Sequence, residues 1–88
     1  MCVLFASLIF FFSYTKAIDY DPTNHTNYSN RSAAYCNLEQ YELALKDAEK
    51  CVQIAPDWVK GHFRKGKALI GLKQYTEAIA ALKQVCVI

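Results

Sequence analysis

The chain has 88 residues, 53% of them hydrophobic and 20% charged, with a formal net charge of +2. That length holds one small domain and no second one, and so apolar a chain with so little net charge is not intrinsically disordered. Residues 1–57 carry four Lys/Arg against seven Asp/Glu, a net −3, whereas residues 58–88 carry six basic groups against Glu77 alone, a net +5; this asymmetry points to one face that meets an anion.

Residues 1–12, Met-Cys-Val-Leu-Phe-Ala-Ser-Leu-Ile-Phe-Phe-Phe, carry no charge, and the first charge is Lys16. Spanning a bilayer takes about 20 apolar residues, so no stable membrane insertion is expected. The run has the length of a signal-peptide core, and Thr15-Lys16-Ala17 is a tolerable cleavage site, but the basic n-region is missing. Three glycosylation sequons follow, Asn24-His25-Thr26, Asn27-Tyr28-Ser29 and Asn30-Arg31-Ser32. They fall mostly on a predicted helix, and cleavage after Ala17 would remove most of a partial repeat. The expected location is therefore cytoplasmic, with secretion as the alternative. The segment is expected to replace a missing helix, extend the helix ending near Asp21, and cover exposed repeat surface.

An internal period organises the rest. An offset of 34 aligns Pro22 with Pro56, Ala34 with Ala68, Leu38 with Leu72, Gln40-Tyr41 with Gln74-Tyr75, Ala44 with Ala78, and Ile54 with Ile88. Such a period means stacked helical units, since no unit can bury its apolar face alone. From about His25 to Leu38, the residues Tyr28, Ser32, Tyr35 and Leu38 make one buried stripe. Asn37-Leu38-Glu39-Gln40 serves as a tight turn. Tyr41 to Ala55 forms the next helix, with its stripe at Tyr41, Ala44, Leu45, Ala48, Val52 and Ile54-Ala55. Pro56 stops it, and Asp57 is placed to cap the next. Residues 58–71 and 75–87 repeat the pair, with Gly71 near the end of the first helix. Ala44 and Ala78 let neighbouring helices approach closely. Tyr28, Tyr35, Tyr41 and Tyr75 are expected to pack between repeats, Trp58 to pack at a helix start, and His25 and His62 to lie on helix surfaces.

The four cysteines, Cys2, Cys36, Cys51 and Cys86, include no C-x-x-C pair, and neither histidine stands beside one. No metal site is expected, and the thiols read as reduced and mostly buried. No phosphate-binding loop, nucleophile motif or cofactor signature occurs, so no catalytic residue is assigned and no enzyme is expected.

The charged residues that carry information lie on the predicted 58–71 helix. Lys60 and Arg64 are four apart and share a face. Asn30 stands one period before Arg64, and equivalent positions line up along the concave side of a stacked array. Asn30, Lys60 and Arg64 should therefore meet in one groove, with Ala33, Phe63 and Lys67 as further groove-lining candidates. Lysine offers a point charge, arginine a planar fork and asparagine an amide donor, a set suited to a carboxylate. No acidic residue lies between Trp58 and Tyr75 to cancel these charges, so acidic peptides are drawn in at long range. Nucleic acid is not an expected partner, because no aromatic platform or reading motif accompanies the basic groups.

The spans Tyr28-Ser-Asn-Arg-Ser-Ala-Ala-Tyr35, Pro56-Asp-Trp-Val-Lys-Gly-His-Phe-Arg-Lys65 and Ser13-Tyr-Thr-Lys-Ala-Ile-Asp-Tyr-Asp-Pro22 resemble the tetratricopeptide repeat (TPR) family. Within it they are most similar to the first repeat domain of the Hsp-organising co-chaperones, truncated at the N-terminus. The resemblance implies an all-α superhelical stack of about two and a third repeats. Its expected divisions are an apolar segment at 1–12, the end of a partial repeat at 13–22, a repeat at 23–56, and a repeat lacking its last few residues at 57–88. It also implies a co-chaperone adaptor that grips the C-terminal Glu-Glu-Val-Asp of 70-kDa or 90-kDa heat-shock chaperones. Asn30, Lys60 and Arg64 match three members of the family's carboxylate clamp. The other two, a Lys and an Asn on the opening helix, have no counterpart here, which weakens binding by about 3 kcal/mol or more. The alternative is a structural or self-associating repeat remnant.

Overall fold

The computed structural model describes the backbone of residues 2–86 and the side chains of residues 6–83. Five helices follow one another: α1 (Cys2–Tyr20), α2 (His25–Asn37), α3 (Tyr41–Ile54), α4 (Val59–Gly71) and α5 (Tyr75–Cys86). No strand occurs among the described residues. Each helix packs on the next, and α2 also packs on α4. Helices α2 and α4 therefore lie side by side along one face of the stack.

Local chemistry sets the helix ends. The Asn24 side chain accepts a hydrogen bond from the Thr26 N–H at 3.0 Å and caps α2. At the other end, the Leu38 N–H turns back to the Ala34 and Tyr35 carbonyls, and the Gln40 N–H reaches Tyr35 O at 2.8 Å. Between them Glu39 sits in the left-handed region at φ 60. The same turn recurs one period on, with Lys73 at φ 63 and the Gln74 N–H on Leu69 O at 2.9 Å. Neither position is glycine, so each turn accepts a side chain in a conformation that glycine adopts more readily. Helix α3 stops at Ile54, short of Pro56, whose ring disfavours a helical residue before it. The expected cap at Asp57 does not form. Helix α4 begins at Val59, Trp58 holds the N-cap without a side-chain bond, and Asp57 stands one residue too early.

Small residues bring the helices together. Ala44, Ala48 and Ala68 are wholly buried, and the Ser32 hydroxyl donates to the Ala44 carbonyl at 2.8 Å between α2 and α3. One cluster joins Ile18, Tyr28 and Cys51 with Ile54 and Trp58, and a second joins Leu69, Ala78 and Ala81 with Leu45. Tyr28 donates to the Pro22 carbonyl at 2.9 Å, Tyr35 packs on Phe11, and Tyr41 lies over Gly71. Tyr75 departs from the expectation and is exposed. Cys51 is buried and Cys36 half-buried, both free; the thiols of Cys2 and Cys86 lie outside the described side chains.

Residues 2–12 continue α1 without a break, so they extend the helix and do not supply a separate one. Ser7 is buried and accepts a hydrogen bond from the Asn37 amide at 3.1 Å, while Phe11 meets Tyr35 with ring centroids 4.9 Å apart. On the same helix Leu8, Ile9, Phe10 and Phe12 are exposed. No helix among the described residues is long and apolar enough to cross a membrane.

Candidate peptide-binding groove

Packing of α2 on α4 sets Asn30 and Arg64 on the border of one cavity of about 240 Å³. Ala33, Ala34 and Asn37 of α2 and Ser7, Phe10 and Tyr14 of α1 complete its lining. Arg64 is the group of most chemical interest. Its Nε is buried and has no hydrogen-bond partner among the described residues. An unpaired buried donor is costly, and a charged one more so. Its guanidinium carbon lies 5.5 Å from the centre of the Phe63 ring, and the Lys67 Nζ lies 6.0 Å from the same ring. Lys67 borders a second cavity of about 250 Å³ with Cys36, Tyr41 and Ile70, and Asn37 lines both. The two hollows thus adjoin along α2 and α4. Burial pushes the Cys36 thiol up from its ordinary value, against smaller opposite pulls from Arg64 and Lys67.

The structure thus brings Asn30, Ala33 and Arg64 to one cavity and places Lys67 in the next, while Phe63 lines neither and its ring lies near both cations. Lys60 borders neither cavity; it is exposed on α4, one turn before Arg64. Among the described residues, none of Lys60, Arg64 and Lys67 pairs with a carboxylate. A larger hollow of about 430 Å³ opens between α3, α4 and α5, but Glu49 and Glu77 offset Lys65 there and make it a poor host for anions. The histidines are committed to the fold: His25 sets its ring edge on Trp58 at 4.6 Å, and the His62 ring donates to the Pro56 carbonyl at 2.7 Å. Ser7 and Phe10 were not foreseen at the groove, because the uncharged run around them carries no repeat signal; Tyr14 lies in the repeat-like Ser13–Pro22 span, where its residue type gave no sign of the groove.

The 34-residue pattern is matched by the tetratricopeptide repeat family at residues 13–46 and again at residues 59–86. The chain belongs to that family. Among TPR proteins it is 49% identical over 71 residues to the heat shock protein sti1 homolog of Schizosaccharomyces pombe, covering 81% of this chain and 12% of that protein. It is 46% identical over 71 residues to the Hsp70-Hsp90 organizing protein of Triticum aestivum, again covering 81% and 12%. The chain therefore spans about an eighth of the length of these relatives. Among solved structures, the first TPR of Spaghetti (RPAP3) bound to the HSP90 peptide SRMEEVD superimposes with a TM-score of 0.82 at 31% identity, covering 85% of this chain and 61% of that one. The TPR2B domain of yeast Sti1 in complex with an Hsp70 peptide gives 0.82 at 32% identity, covering 85% and 60%.

Proposed function

We propose that this TPR chain is an adaptor that captures the acidic C-terminal tail, of Glu-Glu-Val-Asp type, of a 70-kDa or 90-kDa heat-shock chaperone. Arg64 supplies a fork for one carboxylate, Asn30 an amide donor beside it, and Lys60 a second positive charge one turn away. Residues 23–56 and 57–88 act as the two repeats that carry these groups. The adaptor works by tethering rather than by chemistry, in the cytoplasm where such tails are met. The observation that carries this reading is Arg64, paired with no carboxylate among the described residues, lining one cavity with Asn30. A carboxylate in that cavity would give the guanidinium the charged partner it lacks.

Calorimetric titration with an acidic C-terminal peptide, as free acid and as amide, tests the proposal. The acid form binds in the micromolar range and the amide at least tenfold more weakly. Arg64→Ala removes a charge-assisted bond of about 1.5–3 kcal/mol, which is about tenfold or more in affinity. Equal binding of acid and amide sinks the proposal. A second reading, self-association, is favoured by the exposed Leu8, Ile9 and Phe12 on α1. Sedimentation across a hundredfold concentration range separates the two, since peptide capture leaves the monomer's sedimentation unchanged.

A further inference from the structure

The α1 wall of the groove differs from the equivalent places in the repeats that follow. One period apart, Phe10 stands where Ala44 and Ala78 stand. Those alanines are 0% and 2% exposed, because the partner helix of each repeat closes down on them, whereas Phe10 is 53% exposed. Its ring stacks with Tyr14, centroids 6.1 Å apart and planes inclined by 22°. Both residues border the cavity that Arg64 and Asn30 share, which Ala33 and Ala34 also line. This wall offers no cation, since the first charge of the chain is Lys16.

We propose that the Phe10–Tyr14 pair sets the specificity of the groove, favouring peptides with an aromatic residue immediately before the acidic C-terminal one. The proposal rests on the carboxylate-capture reading above. With the terminal acid held at Arg64, the penultimate side chain lies in the cavity that Phe10 and Tyr14 also border. Valine offers these rings only a small aliphatic surface, whereas phenylalanine adds an offset or edge-on ring contact. The cavity of about 240 Å³ has room for such a ring.

The test compares acid peptides ending in Glu-Glu-Val-Asp and Glu-Glu-Phe-Asp, each with its C-terminal amide as control, on the full chain. The phenylalanine peptide binds about threefold to tenfold tighter than the valine peptide, the range an aromatic pair provides. Phe10→Ala abolishes that ratio. Phe10→Leu, which keeps α1 apolar, also loses most of it, and circular dichroism checks that both variants stay helical. Equal affinities on the unmodified chain, or a ratio that survives Phe10→Ala, overturn this proposal alone if binding still depends on the free carboxylate. Binding indifferent to amidation, or no binding of any peptide, overturns the capture reading and this one together.

Discussion

At the scale of single residues, one ion pair ties three helices. Arg31 on α2 donates to both carboxylate oxygens of Asp47 on α3, at 2.7 and 2.8 Å, and its remaining nitrogen lies 3.5 Å from the Thr15 hydroxyl on α1. Asp47 is nearly buried, with 8% of its side chain exposed against 19% for Arg31. Asp47→Ala strands the guanidinium and should cost about 3 kcal/mol, whereas the paired change Arg31→Met with Asp47→Leu should cost much less, because no charge is left unmatched. Urea midpoints of the two variants check this. Protonation supplies a second test. Burial raises the Cys36 and Cys51 thiols above the ordinary 9.0 and the Tyr35 hydroxyl above 10.0. The unfolded chain therefore loses these protons first as pH rises. Stability from these groups is complete below about pH 9 and declines above it. The urea midpoint should fall between pH 8 and pH 10.5, and fall less in the Cys36→Ala, Cys51→Ala double variant.

At the scale of elements, glycines separate propensity from packing. Gly66 and Gly71 both lie in α4, where alanine is intrinsically favoured by about 1 kcal/mol. A Cβ on Gly66 would meet Leu82 at Cδ2 and at its branch point Cγ, 2.5 and 2.6 Å away, so the side chain must move as a whole. A Cβ on Gly71 would strike the Tyr41 ring. Both Gly66→Ala and Gly71→Ala should thus destabilise by about 1–3 kcal/mol, as overpacked sites do, despite the gain in propensity; thermal melting of each decides it. The helices themselves were legible because the 34-residue period repeats the same turn, and Pro56 marks where α3 must stop. Asp57 misled because a capping residue type one position early satisfies the sequence rule but not the geometry. The groove was legible to the extent that repeat equivalence aligns Asn30 with Arg64. Its α1 wall was not, since Phe10 stands where the later repeats hold Ala44 and Ala78, and nothing local shows that this position is left uncovered. The Arg31–Asp47 pair was equally hidden, because sixteen residues separate its members and nothing local links them.

At the scale of the whole molecule, the stack is unequal along its length. Helix α1 packs on α2 alone, while α2 and α4 each meet three neighbours. A quasi-one-dimensional array transmits the loss of a contact only as far as the interfaces that share it. Phe11 is half-buried and meets Tyr35 at the outer interface. Phe11→Ala should cost about 1–2 kcal/mol of apolar burial, felt mainly in the N-terminal half of α1. Leu69 is 1% exposed and sits where α4 meets α5 and Leu45 of α3. Leu69→Ala should cost about 3 kcal/mol or more, a large share of the 5–15 kcal/mol of an ordinary domain and a larger one in a chain this short. Amide hydrogen exchange reads the difference. In Phe11→Ala the amides of residues 7–15 exchange faster while those of α3 and α4 keep their protection. In Leu69→Ala protection falls throughout α2 to α5. Uniform loss in both variants would mean that the helices unfold as one unit and that α1 is as integral to the stack as α4.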